Sequence, residues 1–323
     1  MRKISMREAV NEALQIAFLS DDSVFTMGED IAVYGGQLRC SYGLLENYGA
    51  DRVIDTPISE TAIVGAGVGA ALLGLRPVVE LSYIDFIGVC FDQILNQAAK
   101  LRYMYGGSVN IPLVIRTQCG AGLGNGAQHS QSLESILAHI PGIRVVMPSN
   151  AYDAKGLLLH AIRDNNPVVF IEHKALYKVK CEVPEEPYEC EYTCTIKRAG
   201  KDLTIVTYSA MVNQALLAAE KLAEEGIDVE IIDVRSLEPF DSATIIESVK
   251  KTGRLVIVHE ACRKGGFGAE IAAVVQEAVF DSLKVSIRRV AAPDVPVPFA
   301  PVLEKSFLPN KDNIIEAVHL CFD

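Results

Sequence analysis

No apolar run in this chain approaches the ~18 residues that a membrane-spanning helix needs. Charged residues interrupt the sequence every few positions, although half of its 323 residues are hydrophobic. The opening stretch Met1-Arg2-Lys3-Ile4-Ser5-Met6-Arg7-Glu8 has no apolar core of the signal-peptide kind, so a cytoplasmic protein with no membrane association is predicted. Long basic runs are missing as well. With a net charge of −11 the chain has no obvious face for neutralising phosphates, which argues against nucleic acid as a partner. The eight cysteines never fall in C-x-x-C spacing and read as reduced thiols. Cys181, Cys190 and Cys194 are close in sequence but lack a fourth ligand for a metal clip, and read as surface thiols. There is no G-x-x-x-x-G-K-[ST] phosphate loop, no H-E-x-x-H zinc helix (His259-Glu260 stops short of one) and no G-x-S-x-G elbow. No low-complexity segment occurs.

What is present is an almost unbroken alternation of strand and helix patterns, the signature of mostly parallel sheets covered by helices. The length suits two α/β domains of roughly 150 residues each. Ser5-Met6-Arg7-Glu8 is a capping box that opens a helix running to about residue 19. Strands are predicted at 24–27, 52–55, 77–81, 111–117, 144–147 and 168–173, with helices at 91–103 and 152–163 among them. The stretch 181–197 has prolines, glutamates and poor periodicity, and reads as a linker between a first domain 1–180 and a second domain 198–323. Beyond it strands are predicted at 203–208, 229–234, 254–260 and 285–290. Helices alternate with them at 212–225, 241–251 and 269–280. A Pro-rich stretch at 293–301 and a helix at 312–320 close the chain.

Three constellations carry possible chemistry. Gly65-Ala66-Gly67-Val68-Gly69-Ala70 loosely matches a dinucleotide fingerprint, with Glu80 downstream as the ribose-binding acid of an NAD-dependent dehydrogenase. The fingerprint must follow a strand directly. Here Thr61-Ala62-Ile63-Val64 already reads as helix, which favours glycines that admit close packing. Asp55-Thr56-Pro57-Ile58-Ser59-Glu60 ends a strand and places Glu60 in the first turn of a helix, where ligands of open sheets gather or where an acid simply complements the helix dipole. The glycine-rich connection 120–130 ends in His129-Ser130 and offers a proton-transfer side chain, though a structural loop histidine fits equally. The other histidines, at 139, 160, 173, 259 and 319, read as packing or surface residues.

Several stretches together resemble the beta subunit of thiamine diphosphate-dependent 2-oxo acid dehydrogenases, including the acetoin dehydrogenases. They are Met27-Gly28-Glu29-Asp30, the 55–60 motif above, Phe91-Asp92-Gln93-Ile94, His129-Ser130-Gln131-Ser132 and Tyr152-Asp153-Ala154-Lys155-Gly156. Glu172-His173-Lys174 and Pro293-Asp294-Val295-Pro296-Val297-Pro298 extend the match over the whole chain. The resemblance implies a pyrimidine-binding domain followed by a transketolase-like C-terminal domain, assembled as α2β2.

The same resemblance assigns roles. Glu60 would hydrogen-bond N1′ of the cofactor's aminopyrimidine and promote proton transfer within it, with Ile58, Ser82 and Phe86 around the ring. His129 would move protons at the substrate oxygen or assist acyl transfer to a lipoyl sulfur. Ile111, Ala161, Ile162, Asp164 and Asn166 would hold a potassium ion, largely through backbone carbonyls. Ser82 departs from many relatives, which have Gln there, and the run 83–90 is more similar to the acetoin enzymes. The diphosphate-binding Gly-Asp-Gly of this cofactor class is absent, so an alpha subunit would hold Mg2+ and complete the site. The substrate implied is pyruvate, another small 2-oxo acid or acetoin, with a lipoyl-bearing acyltransferase as the next partner. A non-catalytic assembly subunit is the rival reading.

Overall fold

In the computed structural model, which describes residues 1–323, the chain divides into two compact units. The first comprises Met1–Cys119 and Ile136–Glu191, the second Gly120–Ser135 and Tyr192–Asp323. Each is a mostly parallel sheet covered by helices, the architecture the alternation predicts.

In the first unit six strands run parallel in the order Arg144–Val146, Val168–His173, Val114–Cys119, Arg76–Leu81, Val24–Gly28 and Val53–Asp55. Apart from half-buried Arg76, the central strands are buried along their length, as expected for a sheet covered on both faces. The Ser5–Glu8 capping box forms in full, and helix Met6–Ser20 buries Met6, Ala9, Val10, Ala13, Leu14, Ala17 and Phe18 on one stripe. That stripe packs against helix Ala151–Arg163.

In the second unit the sheet order is Arg288–Ala292, Leu255–Cys262, Leu203–Thr207, Val229–Asp233 and Thr195–Arg198, with only the last strand antiparallel. Its core joins Ile205, Leu222, Ile231, Val256 and Val258 to Ile314 and Val318 of the closing helix Lys311–His319.

Some elements differ from the sequence expectation. The helix expected at 91–103 is a π-helical turn, Gln93–Ala98, followed by a short α-helix, Leu101–Met104. The stretch 181–197 contributes part of strand Lys180–Val183, which pairs with Arg2–Ser5, and part of Thr195–Arg198. These strands are short and half polar, so they lack a legible apolar period. Cys190 is buried rather than a surface thiol, and Cys181 and Cys194 are half-buried; none is in a disulfide. No helix is long and apolar enough to cross a membrane.

Candidate functional site

Of the site residues named from sequence in the first unit, Ile58, Glu60, Ser82 and Phe86 follow the carboxyl ends of two strands that flank a third. Val24–Gly28 lies between Arg76–Leu81 and Val53–Asp55, with Gly28 paired to both Glu80 and Asp55. Glu29, Ser82 and the 56–60 turn are therefore the first residues beyond neighbouring strand ends, the ligand-binding edge of an open parallel sheet. Glu60 opens helix Glu60–Leu72, is only 7% exposed, and its carboxylate accepts no hydrogen bond within the chain. Ile58 is 81% exposed, unusual for an isoleucine beside a buried acid. Phe86 is half-buried, and the Ser82 Oγ is buried without a hydrogen-bond partner.

Local bonds fix this edge. Thr56 N–H donates to Gly28 O at 2.9 Å, Thr61 Oγ1 to Val89 O at 2.7 Å, and Ala32 N–H to the Asp55 carboxylate at 2.6 Å. Burial pushes the Cys90 thiol up to about 12, and the Glu60 charge adds to the shift. Burial and then Glu60 likewise raise the Glu29 carboxyl above the ordinary range. Both thus lie within the field of Glu60, which disfavours their charged forms.

The dinucleotide reading fails on two counts. Gly65, Gly67 and Gly69 lie inside helix Glu60–Leu72 rather than in a strand-to-helix turn. Glu80 is buried, with its carboxylate 2.7 Å from Arg116 Nη1 and 3.2 Å from Gln118 Nε2, so it cannot hold a ribose. Arg116 itself is wholly buried and also grips Glu172 through two bonds of 2.7 and 2.8 Å; Tyr177 donates to the same Glu172 carboxylate. Against the cost of desolvation, the two carboxylates hold the guanidinium charged.

Ile111 and the 161–166 turn also meet. Ile111 N–H donates to Asn165 O at 3.0 Å. The carbonyls of Ile162 and Asp164 both accept from Arg76 Nη1, at 3.0 and 3.1 Å. The Asp164 carboxylate accepts from Asn166 N–H at 2.9 Å. Because each carbonyl has a second lone pair, this oxygen-rich turn remains compatible with a monovalent cation. Arg76 already supplies part of the positive charge there.

His129 belongs to the second unit and is half-buried. Gly120, Gly122, Gly124 and Gly126 of its loop take φ of +93, +101, +70 and +73°, which turns successive amides toward acceptors. Two buried carboxylates receive them. Glu260 accepts from Ala121 N–H at 2.7 Å. Glu304 accepts from Gly122 at 2.8 Å and from Gly124 at 3.0 Å. The glycine-rich loop is thus pinned by acids that sequence reasoning missed. Glu304 lies in helix Pro301–Phe307, at the end of the Pro-rich stretch, and no local spacing marks it. Beside the loop a cavity of about 420 Å³ is lined by Ser130, Leu133, Glu260, Cys262, Val297 and Phe307, among others.

The transketolase pyrimidine-binding domain family matches residues 2–180, and the transketolase C-terminal domain family matches residues 193–314. The beta subunit of an acetoin:2,6-dichlorophenolindophenol oxidoreductase from Cupriavidus necator is 50% identical, covering 98% of this chain and 96% of that one. Its Bacillus subtilis counterpart is 47% identical over 97% and 96%. The beta subunit of the pyruvate dehydrogenase E1 component from Rickettsia felis is 48% identical over 98% and 97%. Among solved structures, a split-gene transketolase described as an inactive beta4 tetramer shares the fold, with a TM-score of 0.80, 23% identity and 98% coverage of both chains. A chain matched along nearly its whole length at about half identity, with both transketolase domains in order, belongs to the family of acetoin and pyruvate dehydrogenase beta subunits.

Proposed function

We propose that this chain is the beta subunit of a thiamine diphosphate-dependent dehydrogenase. It would decarboxylate a small 2-oxo acid such as pyruvate, or cleave acetoin, and pass the acyl group to a lipoyl-bearing acyltransferase. The observation that carries the reading is Glu60: a buried carboxylate without an intrachain partner, at the ligand-binding edge of the sheet, beside an exposed isoleucine. When bound, the cofactor supplies the electron sink next to the substrate carbonyl. Glu60 holds a proton at N1′ of the aminopyrimidine. Ile58 and Phe86 offer apolar surface to that ring, and the orphaned Ser82 hydroxyl gains a polar partner there. His129 moves a proton at the substrate oxygen. An alpha subunit in an α2β2 assembly holds Mg2+ and the diphosphate, since this sequence has no Gly-Asp-Gly.

The test is turnover of the chain together with its alpha partner, thiamine diphosphate, Mg2+ and an artificial electron acceptor. Pyruvate, branched-chain 2-oxo acids and acetoin are compared. We expect activity only with both chains, and a drop of about 10²–10⁴-fold with His129→Ala. Glu60→Gln should reduce it at least as far. Unchanged turnover in both variants would leave the chain a scaffold. A potassium ion at Ile111, Ala161, Ile162, Asp164 and Asn166 is part of the same proposal. Its expected signature is a higher unfolding temperature in KCl than in NaCl of equal ionic strength, and equal temperatures would remove it.

A further inference from the structure

The Glu172-His173-Lys174 motif closes strand Val168–His173, and all three of its residues are buried. Glu172 grips Arg116, and Arg116 holds Glu80 one strand further on. His173 Nδ1 accepts from Ala175 N–H at 3.1 Å and so caps the short helical turn Lys174–Leu176. Lys174 is only 4% exposed, and its ammonium lies over the Tyr83 ring, 4.7 Å from the centroid. Strand Val114–Cys119 runs between the strands that precede these two residues, so the lysine reaches across its end.

A buried ammonium is costly to desolvate, and the face of an aromatic ring is an apolar surface that attracts it. Tyr83 suits that role. Burial, and then the charges of Asp85 and Glu80, hold its phenol above the ordinary range, so the ring stands in a negative field. Tyr83 also opens the helical turn Ile84–Gly88, its carbonyl accepting from Phe86 N–H at 3.0 Å. Just past the far end of that turn, Val89 O accepts from Thr61 Oγ1 at 2.7 Å. The segment from Ser82 to Val89, with Phe86 in its middle, is therefore held at both ends. Lys174 holds the start, and Thr61, the neighbour of Glu60, holds the finish.

We propose that Lys174 is a positioning residue for the thiamine cofactor: through the Tyr83 ring it keeps Ser82 and Phe86 in fixed register with Glu60. This role rests on the thiamine diphosphate site proposed above. Lys174 acts through the ring and supplies no group to the reaction. Its loss loosens the wall of the pyrimidine pocket, so the cofactor is held less tightly while turnover of the loaded enzyme changes little.

Isothermal titration of thiamine diphosphate, with Mg2+, into the full chain assembled with its alpha partner reads cofactor affinity apart from turnover. We expect Lys174→Met to raise the Kd about tenfold or more. Lys174→Arg keeps a cation on the ring and should restore most of the affinity. At saturating cofactor, kcat of Lys174→Met should stay near the wild-type value. Tyr83→Leu should lose as much affinity as Lys174→Met, and Tyr83→Phe, which keeps the ring, should lose less. The double variant Lys174→Met with Tyr83→Leu should be no weaker than either single one, because both remove the same contact. If Lys174→Met does not fold, the half-buried Tyr83 carries the test through Tyr83→Leu against Tyr83→Phe. Unchanged affinity in Lys174→Met, additive losses in the double variant, or a fall in kcat with affinity intact would each overturn the role. A wild-type assembly that binds no thiamine diphosphate would instead sink the cofactor assignment, and this role with it.

Discussion

His259 is buried on strand Leu255–Cys262, its ring parallel to that of Tyr208. Its Nδ1 is 3.1 Å from Ala261 O, which makes Nδ1–H the donor, while Nε2 is buried without a partner. Burial lowers its pKa to about 4, and Arg289 and Arg263 push the same way against the Ala261 bond. The unfolded chain protonates this side chain near 6.5, so between about 6.5 and 4 it binds more protons than the folded chain. The stability that goes with a neutral His259 is therefore complete above about pH 6.5. It is lost progressively as pH falls toward 4, by about 3 kcal/mol in all. Urea denaturation at pH 7 and pH 4.5 should show this slope in the wild type and a flatter one in His259→Leu. Gly268→Ala should cost about 1–3 kcal/mol at neutral pH by overpacking, since its Cβ would lie 2.5 Å from the His259 ring. Arg116→Met leaves Glu80 and Glu172 as unpaired buried charges, and denaturation should register about 3–5 kcal/mol. The sequence reading of His259 as a packing residue or surface residue resolves to packing. The depth of that burial was not legible, because one histidine in an apolar strand carries no mark of what covers it.

Helix Glu60–Leu72 shows how one element holds glycines of different use. An added Cβ at Gly67 would lie 3.0 Å from Leu113 Cδ1 and from Val79 Cγ1, whereas at Gly69 nothing lies within 4 Å. Gly67→Ala should lower the unfolding free energy by about 1–3 kcal/mol through overpacking. Gly69→Ala should raise it by up to about 1 kcal/mol through helix propensity. Thermal unfolding of the two variants reads the opposite signs directly. The helical placement of these glycines was legible, because residues 61–64 already read as helix and no strand stood directly before them. Elements failed to be legible where periodicity gives no signal. The π-helical turn at Gln93–Ala98 has an apolar pattern close to that of an α-helix, and helix Pro301–Phe307 is hidden by the prolines before it. Pro301 stands at its first turn, where a missing N–H costs nothing.

At the scale of the whole chain, segment Gly120–Ser135 leaves the first unit to complete the second. A fragment of residues 192–323 lacks that segment, so Glu260 and Glu304 lose the amides that satisfy them. We expect the fragment to be at best loosely packed, with little near-ultraviolet dichroism; a fully cooperative fragment would refute the importance of those bonds. The alternation of elements made the two-unit architecture legible from sequence, and the strand-end position of Glu60 made that residue a candidate. The support of the His129 loop was not legible. Its Ala121–Glu260 bond joins residues 139 apart, and its Gly122–Glu304 bond joins residues 182 apart. Such pairings follow from topology rather than from any local pattern.

This arrangement also sets an order of events during synthesis. When Ser135 leaves the ribosome, the acid that will anchor Gly122 and Gly124 still lies far downstream in the message. At ordinary rates of translation that gap takes on the order of ten seconds or more. The histidine loop therefore waits for almost the whole chain before it is anchored, although it is encoded before the midpoint of the gene.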